Sequence, residues 1–191
     1  MALRYRRELE LSIQDALPAR RLAAHLSIEI IAPEQVPGLT PAHLECLKAP
    51  NSDWWSAGIL SYDGATVIIL NTTHAPSRQE SNIMHEIGHK LCGHKPTGIV
   101  TQRGVPFPLR TYEKSHEGEA ECLGYCLQVP RDGLTWAIQQ GMDTGAIAEH
   151  FGASKSVIDY RRGITGVDKQ FSRRPYNHSI GQRSGTTLSR S

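Results

Sequence analysis

The spacing of apolar positions changes period along the chain, and each change marks an element. Between residues 2 and 26 two helical patterns occur. Pro18 opens the second, in which Leu22, Ala23 and Leu26 recur at helical spacing. A short strand is expected at 28–31. From Trp54 the chain reads WWSAGILSYDGATVIILN, two β-rich runs around Asp63-Gly64. That dipeptide suits a tight hairpin turn, so a β-hairpin is expected over 56–71. The next segment, SRQESNIMHEIGHKLCGH, contains no proline, offers Ser77 as an N-cap, and sets Ile83, Ile87 and Leu91 at i, i+4, i+8. This predicts a helix with one apolar face that stops near Gly93.

Residues 95–111 hold three prolines and two glycines, the pattern of a long ordered loop or flap. Helix resumes at 114 and is expected to reach 127, ahead of Pro130. Two or three short helices follow. Among them DTGAIAEHFGASKSVIDYRRG has the form of a helix-turn-helix about Gly152-Ala153-Ser154. From Ser172 onward there is little to bury. The expected organisation is one domain over 1–166, with the helix-turn-helix-like pair at 143–162, and a flexible, disordered tail over 167–191.

Composition narrows the classes. With 191 residues and 39% hydrophobic content the chain can close one sizeable core. The 21 Lys and Arg against 19 Asp and Glu leave a charge of +2, too balanced for a dedicated nucleic-acid or membrane-surface binder. The N-terminus lacks the apolar core and cleavage site of a secretory signal, and no run approaches the ~18 apolar residues of a membrane span. Four cysteines without a CxxC pair fit a reducing compartment, so a cytoplasmic location is expected. Cys122 and Cys126, four apart, are read as small core residues in preference to a thiol site.

The chemistry concentrates in His85-Glu86-Ile87-Gly88-His89. Two histidines four residues apart project from one helix face and can grip a single cation. Neutral imidazole suits zinc, and a catalytic zinc keeps one position open for water beside three protein ligands. Glu86 flanks the first ligand, where it can act as general base. An HExxH arises by chance in roughly two or three chains per hundred of this composition, so its setting, mid-helix after a hairpin and before an acid-rich helix, carries much of the weight.

A third ligand is needed. The HExxHxxGxxH pattern would put glycine at Cys92 and histidine at Lys95, which excludes that subclass. His94, five residues beyond His89, points away on a continuous helix. The remaining candidates are Glu113, Glu117, Glu119 and Glu121. Glu117 and Glu121, four apart, face the same way, so one can bind metal while the other supports it. His116 and Tyr112 are candidates for stabilising an oxyanion.

At these residues the chain resembles the ImmA/IrrE metallopeptidases, which typically show an HE(L/I)GH helix followed by E-x-x-A-(N/D)-x-(F/L)-A-x-x-L-L-M-P. The second motif is similar to the run from Glu117 through Ala120 and Glu121 to Pro130. Val-Ile-Ile-Leu-Asn71 with Arg78, and GAIAEHFGASKSVIDYRR, resemble further family segments. Gly124 stands where alanine is common, Gln128-Val129 where Leu-Met is common, and Glu121 at an Asn/Asp position.

The resemblance implies an α+β fold: a small antiparallel or mixed sheet on a zincin-like helical core, with the C-terminal helical pair. It implies Zn2+, or alternatively Mn2+, on His85, His89 and Glu117, with Glu86 catalytic and Glu121 in support. The implied activity is site-specific cleavage of a DNA-binding repressor, a protein substrate, by a metalloendopeptidase. The competing reading is a DNA-binding or protein-interaction module, such as a toxin-antitoxin component, with a structural metal. Against direct nucleic-acid binding, SKSVIDYRR offers a recognition helix only Lys155 early and Arg161-Arg162 at its end. Substrate is expected to add a strand along 65–71, taken as the sheet edge beside the metal helix.

Overall fold

The structure, a computed structural model, describes residues 1–49, 54–62, 64–96, 98–100 and 109–171. Three strands, β1 (Ile28–Ile31), β2 (Ala57–Tyr62) and β3 (Ala65–Leu70), form a sheet in the order β1-β3-β2. β3 runs parallel to β1, from Ile28 opposite Thr66 to Ile31 opposite Ile69. It is antiparallel to β2, with Gly58 opposite Ile69 and Tyr62 opposite Ala65. The hairpin turn carries Gly64 at φ +77°, a conformation L side chains rarely adopt. Asp63, the other half of the expected turn, lies outside the described residues. Thr66 to Leu70 are all buried, which explains why β3 reads as an unbroken apolar run: it is a central strand covered on both faces. The edge beside the metal helix is therefore β2, and the expectation that 65–71 forms it is corrected.

The helices are α1 (Ala2–Glu8), α2 (Ala19–His25), α3 (Pro41–Leu47), α4 (Pro76–Cys92), α5 (Lys114–Gln128), α6 (Arg131–Gln139), α7 (Thr144–Phe151), α8 (Lys155–Thr165) and α9 (Val167–Phe171). The fold is α+β with a small mixed sheet, as the pattern predicts. Pro76 occupies the first turn of α4, so Ser77 lies inside the helix it was expected to cap. α3 went unpredicted although Thr40-Pro41 announces it: the Thr40 hydroxyl accepts the His43 N–H, and Pro41 stands where no N–H is needed. α9 lies in the stretch expected as tail, because Val167 is fully buried in the C-terminal apolar cluster. Residues 172–191, the rest of that tail, lie outside the described residues. In the expected flap, β4 (Gly98–Val100) pairs antiparallel with β5 (Leu109–Thr111). Residue 97 and residues 101–108 are not described.

α4 buries Ile83, Met84 and Ile87 against α2 and the sheet. Its most extensive partner is α5, and there the two backbones touch. A Cβ at Gly88 would stand 2.4 Å from the Ala120 carbonyl oxygen, and one at Gly124 would stand 2.5 Å from that of Met84. Residue 88 meets 120 while 84 meets 124, so the helices run in opposite directions. The far end of α5 is tied down by Arg6, whose side chain is almost wholly buried. Its guanidinium donates to the Leu127 and Gln128 carbonyls at 3.1 Å each, and to those of Ser12 at 2.9 Å and Asp15 at 2.8 Å. Carbonyls of a last helical turn lack internal partners, and a cation complements the helix dipole there. Burial lowers the Arg6 pKa to about 10, opposed by nearby Asp15, so the group stays charged at neutral pH.

The helix contact generates a paired prediction. Gly88→Ala forces α4 and α5 apart and should cost about 1–3 kcal/mol, as overpacking does. Gly118→Ala, on the same pair of helices but with nothing within 4 Å, should be neutral or gain up to ~1 kcal/mol from helix propensity. Chemical denaturation of both variants checks this. Equal stabilities would mean that the helices do not depend on their close approach.

Candidate metal centre

α4 projects His85 and His89 from one face, and α5 lays Glu117 across them. His85 Nε2 is 3.1 Å from His89 Nε2, and Glu117 Oε2 is 3.2 Å from the first and 3.5 Å from the second. A tetrahedral ion with bonds of ~2.0–2.1 Å has ligand-ligand edges of ~3.3 Å. The three observed edges bracket that length, and two nitrogens and a carboxylate oxygen form a donor set suited to a divalent ion. Both rings are poised as neutral ligands. Burial lowers the His89 pKa to about 3, with His85, His94 and His116 adding to the effect. Burial lowers that of His85 also, opposed by Glu117 and Glu121.

Glu86, buried beside these ligands, accepts the backbone N–H of Ile59 at 3.0 Å on Oε2. The general-base candidate is thus aimed by the edge strand β2. Residues 57–60 of β2, with Trp54 and Trp55, form one wall of a cavity of about 420 Å³. His85, Glu86, His89, Tyr112, Glu117, Glu121 and Tyr125 are among the other residues that line it. Trp55 is pinned by donating Nε1–H to the Leu47 carbonyl at 3.0 Å.

His94 behaves otherwise than the spacing suggests. α4 is not continuous to it: Gly93, at φ +70°, ends the helix in a left-handed cap, and the His94 N–H donates to the His89 carbonyl. The ring folds back, leaving its Nδ1 3.1 Å from His89 Nδ1 and its Nε2 3.0 Å from Glu119 Oε2. A ligating histidine bound through Nε2 carries its proton on Nδ1. With an ion on His89 Nε2 that proton would face His94 Nδ1, and His94 would carry its own on Nε2 toward Glu119. The ring nitrogen that faces His89 Nδ1 belongs to His94. Glu121 lines the cavity and acts on His85 through its charge.

Of the other candidates, Glu113 is the N-cap residue of α5 and stands outside the ligand cluster. Tyr112 stacks flat on His89, centroids 3.8 Å apart. His116 stacks on His94 at 4.4 Å and is not among the cavity-lining residues. Sequence reasoning missed Tyr125, a cavity residue whose hydroxyl pKa is pushed up to about 12 by burial, Glu121 and Tyr160.

The helix-turn-helix-like pair is α7 and α8, packed through Ile147, Phe151, Val157 and Ile158. Its two arginines are already engaged. Buried Arg161 donates to the Val129 carbonyl at 2.9 Å and to Cys126 Sγ at 3.0 Å, while Arg162 pairs with Asp168 and donates to Thr144.

An HExxH helix with a carboxylate converging from a second helix defines the class of HExxH metallopeptidases. The model of the IrrE N-terminal-like domain, peptidase M78, matches residues 49–162, more than half of the chain, and the chain belongs to that family of zinc metallopeptidases. Neither the curated proteins nor the solved structures contain a match to it. Among the described residues, no helix is long and apolar enough to cross a membrane.

Two predictions arise here. Glu117→Ala should abolish metal retention, whereas His94→Ala and Glu121→Ala should each weaken it by about 10–100-fold, the cost typical of partners behind the ligands. Metal analysis after dialysis against graded chelator ranks the three, and retention by Glu117→Ala equal to wild type would move the ligand elsewhere. The second concerns pH. In the metal-free protein His89 stays neutral down to about 3, while the unfolded chain takes up a proton near 6.5. The unfolded state therefore binds more protons between those limits, and stability falls as pH drops below 6.5. The loss should reach a few kcal/mol, on the order expected for a shift of this size. Urea midpoints between pH 7.5 and 4, compared with those of His89→Asn, measure it, and parallel curves would contradict it.

Proposed function

We propose that this chain is a zinc-dependent metalloendopeptidase in which His85, His89 and Glu117 hold the ion and Glu86 is the general base. The observation that carries the reading is the position of Glu86: buried beside the ligand cluster, aimed by the Ile59 N–H, and opening on the cavity. When bound, zinc supplies a Lewis acid and a water of lowered pKa, chemistry that manganese can replace. The carboxylate of Glu86 takes the proton of the attacking water and delivers it to the leaving amine nitrogen. Tyr125 keeps its hydroxyl proton throughout the neutral range and serves as donor to the developing oxyanion. Tyr112, stacked on His89, holds that ring in place.

The substrate lies extended along β2, the sheet edge that forms the cavity wall. Strand addition requires a flexible stretch, so cleavage falls in a loop or linker of a folded partner, and a repressor-type DNA-binding protein is the substrate class that the family suggests. A DNA-reading role is disfavoured by Arg161 and Arg162, both engaged within the fold.

Glu86→Gln should keep fold and metal yet lower the cleavage rate by about 10²–10⁴, because the amide cannot accept the proton. The assay sets a co-encoded repressor-type protein beside casein, with metal content and circular dichroism measured on the same samples. Wild-type rates from the variant would refute the role of Glu86, and vigorous casein digestion would refute the narrow substrate.

A further inference from the structure

Next to the first cluster lies a second set of side chains that could hold a metal, of which the peptidase site draws only on His94, behind His89. Cys92 at the end of α4, His94 just past it and Glu119 on α5 each present one ligand atom, all within 4.8 Å of one another. A thiolate, an imidazole and a carboxylate make a donor set that zinc accepts. His94 Nε2 and Glu119 Oε2 already stand 3.0 Å apart, a length suited to two ligands sharing an ion. The His94 side chain is only 4% exposed, which fixes its ring, while Cys92 and Glu119 are exposed and leave the site open to solvent. His116 lies flat on His94 at 4.4 Å, and its buried Nδ1 has no hydrogen-bond partner among the described residues. The cluster thus borders a polar atom that the fold leaves unsatisfied.

We propose that Cys92, His94 and Glu119 form a second zinc site whose occupation opposes the first. The opposition comes from the shared ring. An ion at the second site takes His94 at Nε2, so the one ring proton leaves Nε2 and is carried on Nδ1. That Nδ1–H then faces the Nδ1–H of a metal-bearing His89 across 3.1 Å, two donors with no acceptor between them. One ring must turn away, so a second ion loosens the outer support of the first. The site would read zinc in excess of one equivalent and lower activity. This regulatory role rests on the metallopeptidase reading; the site itself does not.

The test is a cobalt titration of the metal-stripped full chain. The expected result is a first equivalent with visible bands and no thiolate charge-transfer band, then a second that brings the near-ultraviolet cobalt-thiolate band. Cys92→Ser should lose the second equivalent and that band, and a variant with Cys46, Cys122 and Cys126 all changed to Ser should keep both. Saturation at one equivalent without the band, or a band that survives Cys92→Ser, overturns the proposal. Binding through thiolate alone upholds the second site while defeating the assignment of His85, His89 and Glu117. Inhibition by excess zinc that Cys92→Ser relieves supports the antagonism, and equal activity at one and several equivalents overturns it.

Discussion

The metal centre depends on the backbone contact between α4 and α5. Two ligands stand on one helix and the third on the other, so the inter-helix distance sets whether three atoms can meet at one ion. Helices usually pack 8–10 Å apart with side chains between them. Here Gly88 meets the Ala120 carbonyl and Gly124 meets that of Met84, with no room for a methyl group at either point. Both contacts lie within a turn or so of the ligands. The glycine inside HEIGH is therefore a packing requirement, and Gly124, where alanine is common in the family, has the same cause one turn from Ala120. A glutamate is long enough to reach across only because the helices are held this close.

Close packing at one end of α5 needs support at the other. Arg6 from α1 and Arg161 from α8 both donate into carbonyls at the end of α5, at Leu127, Gln128 and Val129. Removing such a buried donor typically costs about 1–3 kcal/mol, because the carbonyl it served is left unsatisfied. Gln128, also buried, adds side-chain hydrogen bonds to Ser81 on α4 and to the Gly152 carbonyl between α7 and α8. The C-terminal helices thus act as a buttress, and the apolar residues that make them look like a DNA-binding pair pack them on one another, on α6 and on Val129 at the end of α5.

Much of this was legible in the sequence, for identifiable reasons. The α4 and α5 patterns are long and periodic, and their ends carry Gly93 and Pro130, so both helices were predicted within a residue or two. His85 and His89 share a face of α4 by spacing alone, whereas spacing left Glu113, Glu117, Glu119 and Glu121 open as the third ligand and only the family resemblance singled out Glu117. The errors came where a left-handed residue or a non-local pairing decides. Gly93 was taken as a stop and His94 as if the helix continued, yet a left-handed glycine returns the chain toward its own last turn. That return is what brings His94 to His89. The parallel pairing of β1 with β3 joins segments about forty residues apart, and no local pattern shows it. The unbroken apolar run Val67-Ile68-Ile69-Leu70 was the available signal for a central strand.

The correction from β3 to β2 has a mechanistic consequence. In an edge strand alternate residues turn their N–H and C=O groups away from the sheet, and at Ile59 the outward N–H is spent on Glu86. The strand that would receive substrate is therefore the strand that aims the general base. A peptide adding to β2 must engage outward groups on either side of Ile59, which sets its register without displacing the carboxylate. In the proposed docking mode, substrate position and the orientation of Glu86 would be referred to one element, itself fixed by its pairing with β3 from Ala57–Leu70 to Tyr62–Ala65. On the proposed mechanism the sheet would align the reacting groups, with α4 carrying Glu86 and the two histidines past its edge.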